Sequence, residues 1–94
     1  MVRVAKQAQA CWFGAKDPAF RPYRLAVEVN SHVGRPRILV VPRNRPSGLP
    51  KLVAQAERRG ARNTFTAFGP LLQTSQGPRL RASLNRWAGG STTC

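Results

Sequence analysis

Tyr23-Arg24-Leu25-Ala26-Val27-Glu28-Val29-Asn30, followed shortly by Ile38-Leu39-Val40-Val41, decides the fold. In the first segment Tyr23, Leu25, Val27 and Val29 fall on one parity and Arg24, Ala26, Glu28 and Asn30 on the other. That is the period-two pattern of a strand with one apolar and one polar face. Between the segments, Asn30-Ser31-His32-Val33-Gly34 supplies turn chemistry, with Gly34 free to take positive φ. The two segments therefore predict a β-hairpin. Ile38 to Val41 has no polar face, which predicts a central strand covered on both sides.

Working outward, Asp17-Pro18 is a helix start, an N-cap acceptor followed by proline at the first helical position. Pro22 ends that turn within a few residues. Residues 2 to 13 are ambiguous: Val2, Val4, Lys6, Ala8, Ala10 and Trp12 share strand parity, while the Ala and Gln density suits a helix. The expectation is a strand at Ala10–Phe13, preceded by a poorly ordered segment over 1–9, with a single domain over 10–94. On the other side, Pro42 closes the central strand and residues 43–50 form a loop. Leu52–Ala56 and Thr64–Phe68 make two more strands, separated by a turn over 57–63 and stopped by Gly69-Pro70. Then comes one helix: Leu80, Leu84, Trp87 and Ala88 recur at i, i+4, i+7 and i+8, Pro78 fits the first turn and Gly89-Gly90 the stop. The predicted architecture is an α+β domain, an antiparallel sheet of four or five strands with the C-terminal helix on one face. No apolar run approaches the roughly 20 residues that cross a membrane.

Sixteen Lys and Arg face three acids, Asp17, Glu28 and Glu57, for a net charge of +13. Lysine occupies only positions 6, 16 and 51, leaving thirteen arginines. Guanidinium forks grip phosphate or carboxylate at two points; GC-rich codon usage also raises Arg together with Ala, Gly and Pro. Under either origin such a charge attracts polyanions. The candidate polyanion-binding residues are Arg35, Arg37, Arg43 and Arg45 flanking the central strand, Arg58, Arg59 and Arg62 in the following turn, and Arg79, Arg81 and Arg86 on the helix. At odd positions, Arg35 to Arg45 would point to one side of an uninterrupted strand. A solvated basic surface explains the same residues. Phe65 and Phe68 have opposite parity and both tryptophans suit the core, so no row of stacking aromatics accompanies the charge.

Catalytic and cofactor chemistry find no support. Three acids that face many arginines are read as ion pairs, and His32 beside Ser31 is a turn residue rather than part of a triad. There is no phosphate cradle or dinucleotide fingerprint. Two cysteines and one histidine do not make a zinc site within a monomer. No cofactor is expected.

Cys11 and Cys94 are either a disulfide or two separate reduced thiols. Trp87 anchors the helix on the sheet, and the tail from Ala88 to Cys94 spans at most roughly 20 Å, enough to return to Cys11. That layout favours a bond, with Cα atoms within ~7 Å. Met1 to Ala10 lacks the apolar core of an export signal, although Ala8-Gln9-Ala10 has the small-x-small form that precedes signal-peptidase cuts.

Cys11-Trp12-Phe13, Lys16-Asp17-Pro18-Ala19-Phe20, Glu28-Val29-Asn30-Ser31, Gly34-Arg35-Pro36-Arg37-Ile38-Leu39-Val40-Val41, Phe68-Gly69-Pro70-Leu71 and Arg86-Trp87 with Cys94 resemble motifs of a group of small uncharacterised bacterial proteins. The resemblance spans most of 11–94. In that group these motifs tend to follow an export signal, so the resemblance implies a disulfide and a periplasmic or otherwise exported location; no activity comes with it. Two function classes follow. One is a non-enzymatic accessory or binding protein of the cell envelope whose Arg surface contacts an acidic partner, an envelope polyanion or an acidic protein. The other is a cytosolic nucleic-acid-binding module with non-specific, salt-sensitive binding.

Overall fold

A computed structural model describes residues 1–28, 36–45, 48–60 and 62–94; for 58, 59, 62 and 63 only the backbone enters the description. The hairpin turn Asn30–Gly34, His32 and Arg35 lie outside the described residues. Four strands, β1 (Tyr23–Glu28), β2 (Arg37–Pro42), β3 (Leu52–Arg59) and β4 (Arg62–Phe68), form one antiparallel sheet in the order β1-β2-β3-β4. Helix α1 covers Val2–Ala8, and α2 covers Gly77–Ala88 near the C-terminus. The protein is an α+β fold.

Parity sorts the sheet into two faces. Leu25 pairs with Val40, Val40 with Leu52, and Ile38 with Ala54, so these side chains share one face. They join Val4, Ala8, Trp12, Phe20, Leu80, Leu84 and Trp87 in the main core, which places both helices on that face. On the other face Leu39, Val41 and Val53 form a smaller buried cluster against Ala26. All four residues of the Ile38–Val41 run are buried, as a strand without a polar face requires. Pro78 opens α2 and Leu80, Leu84 and Trp87 are fully buried along it. Gly77 starts the helix where a Cβ would collide with the Leu72 carbonyl, so only glycine lets α2 begin so close to the 3-10 turn at Pro70–Gln73.

The N-terminus departs from the sequence reading. Residues expected to be poorly ordered form α1, and Ala10–Phe13, expected as a strand, lies in a π-helical continuation over Gln9–Gly14. Its wider turn is seen in the bonds from Ala15 N–H to the Ala10 carbonyl (2.9 Å) and from Asp17 N–H to the Trp12 carbonyl (3.1 Å). The reason is the burial stripe: Val4, Ala5, Ala8, Cys11 and Trp12 recur at helical spacing and all enter the core. Strand parity along the same residues was coincidental. A second departure is length. β3 continues to Arg59 and β4 begins at Arg62, so part of the turn expected over 57–63 belongs to the sheet, with Gly60 at φ +61° in the tight connection.

Candidate functional site

The Asp17-Pro18 turn organises one end of the molecule. Asp17 Oδ1 accepts from the Ala19 N–H at 3.0 Å and caps the short 3-10 turn Pro18–Phe20. This swings Phe20 against Trp12, their rings stacked with centroids 4.5 Å apart, and against Phe13 at 5.3 Å. Trp12 in turn meets Trp87 of α2 at 5.1 Å. Trp87 Nε1–H donates to the Thr93 carbonyl at 2.8 Å, folding the tail back along α2. Cys94 consequently reaches Cys11: the two form a disulfide with Cα atoms 5.5 Å apart, within the distance expected from the layout.

Around the aromatic stack lies a cleft of about 230 Å³, lined by Trp12, Phe13, Lys16, Asp17, Phe20, Arg21 and Arg43. Three of its side chains are cationic. Its one acid is engaged, because Arg79 Nη1 donates to Asp17 Oδ2 at 2.8 Å. Burial would raise the Asp17 carboxyl, but the Arg79 hydrogen bond, the Ala19 N–H and the Arg79 charge outweigh it and hold the group below its ordinary value. A depressed native pKa contributes stability above the unfolded value, and that contribution fades as pH falls through the lower native one. Chemical denaturation at stepped pH is therefore expected to show wild type losing part of its advantage over Asp17→Asn in the acid range below the ordinary value of 3.8. Equal pH profiles for the two proteins would contradict the pairing.

Among the described residues, Arg37 and Arg43 fall in different surroundings. Arg37 Nε donates to Glu28 Oε1 at 2.8 Å, on the sheet face opposite the helices. Arg43 lies beyond the end of β2 at Pro42 and lines the aromatic cleft, so the strand is interrupted between Arg37 and Arg43; Arg35 lies outside the described residues. Arg45 is exposed nearby in sequence. Arg58, Arg59 and Arg62 do converge as backbone positions, Arg59 pairing with Arg62 in the β3–β4 hairpin. That hairpin projects from the sheet end that carries Arg37, opposite the end that carries Arg43. On α2, Arg79 reaches Asp17, Arg81 donates to the Ala67 carbonyl at 3.4 Å, and Arg86 donates to Ser83 Oγ and the Cys94 carbonyl.

Lys16 and Arg21 were absent from the sequence-based set. They flank the Asp17-Pro18 turn, and that turn signal was the available clue: a tight reversal brings its flanks together. Lys16 sits at φ +57°, in the left-handed region. Chemically, the cleft offers cations around an apolar floor, suited to a carboxylate or phosphate carried on an apolar body. Among the described residues, no three His, Cys, Asp or Glu side chains converge to hold a metal ion. Compared with protein-family models, curated proteins and solved structures, the chain finds no match.

Proposed function

We propose that this protein is a non-enzymatic, disulfide-fastened binding protein of the bacterial cell envelope that uses its cationic surface to hold acidic partners. The observation that carries this reading is the imbalance of charge. Three acids cannot neutralise sixteen cations, and two of the three, Asp17 and Glu28, are already taken by Arg79 and Arg37. The excess of cations is available to a polyanion, which gains from counterion release. The Cys11–Cys94 bond supports an oxidising compartment, since disulfides persist there and are reduced in most cytosols.

Contacts of this kind position a partner without reading a sequence. Retention on heparin and affinity for two unrelated DNA duplexes are expected to fall steeply with salt, with a slope of about −0.9 per neutralised phosphate on duplex. Arg35→Ala/Arg37→Ala and Arg79→Ala/Arg81→Ala should each weaken binding by a similar factor for every polyanion. A salt-resistant preference for one duplex would give the surface to specific nucleic-acid recognition instead. No binding at low salt would remove the polyanion function.

A further inference from the structure

An apolar groove runs along the edge of the sheet, away from the aromatic cleft. One wall is the face of α1 and its π-helical continuation that carries Val2, Ala5, Lys6, Gln9, Ala10 and Gly14; the other is Leu25 and Val27 of β1. The groove is open to solvent and has a volume of about 540 Å³. Val2 and Val27, one on each wall, are 62% and 48% exposed.

The backbone of β1 is open along the same groove. Arg43 N–H donates to the Pro22 carbonyl, so by antiparallel alternation Arg24, Ala26 and Glu28 also bond toward β2. Leu25 and Val27 then direct their N–H and C=O groups outward, and among the described residues no protein group meets them. An arginine meets one outward carbonyl on each edge: Arg43 Nη2 donates to Tyr23 at the start of β1, and Arg81 Nη1 donates to Ala67 of β4. Beyond Tyr23, the outward groups of Leu25 and Val27 lie beside the apolar trough. A fifth strand would pair about 4.8 Å from β1 and drop alternate side chains into the groove, the geometry of β-strand addition.

Charge selects the occupant. A second copy of this chain would bring another +13 to the edge and be repelled. Lys6 lines the groove and Arg24 is exposed on the opposite face of β1, while Glu28, the acid of that strand, is tied to Arg37. An added strand whose inward residues are apolar and whose outward residues lie beside Arg24 is favoured when those outward residues are acidic. We propose that the edge of β1 captures an extended segment of an acidic protein, one in which apolar and acidic residues alternate. This deepens the polyanion reading and rests on it, because it names the class of acidic partner.

The probe is a fluorescein-labelled nonapeptide alternating valine with glutamate, titrated into the intact oxidised protein and followed by anisotropy and by amide NMR shifts. A block peptide of the same composition, valines together and glutamates together, is the comparison. The alternating peptide should bind about tenfold tighter than the block peptide, or about 1.4 kcal/mol. Its largest shifts should fall on Leu25 and Val27. Ala10→Trp, which fills the groove from an exposed position without changing charge, should remove that preference; Ala82→Trp, on an exposed face of α2, should leave it intact. Two N-methylated peptides provide a check independent of any protein variant. Methylation on one parity should abolish binding and on the other spare it, because only one edge of the added strand faces β1. Equal binding of alternating and block peptides, or of both N-methyl series, would overturn strand addition, and heparin retention persisting in the same samples would leave the polyanion reading standing. A dimer by sedimentation that Ala10→Trp dissolves would assign the groove to a second copy and overturn the acidic-partner proposal.

Discussion

Replacing both cysteines, Cys11→Ser/Cys94→Ser, is expected to lower stability by about 4 kcal/mol, the chain-entropy value for closing a loop of this length. The bond joins residues 83 apart in sequence, so it constrains nearly the whole unfolded chain. For a domain of this size each kcal/mol shifts the melting temperature by roughly 4–8 °C, so the double variant should melt roughly 15–30 °C lower. A small domain has little to spare against a loss of that order. Calorimetry of the oxidised protein, the reduced protein and the double variant tests this. A difference of a few degrees would mean that the tail is held by Trp87 and Thr93 alone.

The second large effect belongs to α2. Leu84 is 1% exposed and packs in the main core beside Leu80 and Trp87. Truncation to alanine removes three carbons from a site enclosed by helix, sheet and tryptophan, and should cost about 2–5 kcal/mol. Denaturant titration gives the loss directly, and an unchanged slope would show that the helix stays part of the cooperative unit. A midpoint close to wild type would mean that the helix is not bound into the core.

How much of this was legible in the sequence varied with the kind of signal. The Tyr23–Val27 alternation and the Ile38–Val41 run gave β1 and β2, since parity and continuous apolarity translate directly into faces. Leu80, Leu84 and Trp87 gave α2 for the same reason at the helical period. Residues 2–13 failed because Val4, Ala8 and Trp12 satisfy both a spacing of two and a spacing of four. Only the core-facing positions Ala5 and Cys11 separate the two readings, and small residues carry little weight in a pattern count. The different surroundings of Arg37 and Arg43 were hidden for another reason. Parity predicts direction only while a strand continues, and β2 stops at Pro42, after which Arg43 joins the cleft. Lys16 and Arg21 could not be paired with Arg43 from sequence because that neighbourhood exists only once Asp17 has capped its turn and Phe20 has stacked on Trp12.

Joining Cys11 to Cys94 also changes the topology of the molecule. Residues 11–94 become a closed ring threaded through all four strands and α2, with α1 as a short arm outside it. A linear chain cut once becomes two pieces; a ring cut once remains a single molecule with new ends. The connection from β2 to β3 carries exposed Arg43 and Arg45 and a Leu49 that is 85% exposed, all inviting to a protease. A cut there would separate neither half of the sheet from the other, because β1 and β2 stay covalently tied to β3, β4 and α2 through the Cys11–Cys94 disulfide. In a compartment rich in proteases, the protein has built-in tolerance of one broken peptide bond.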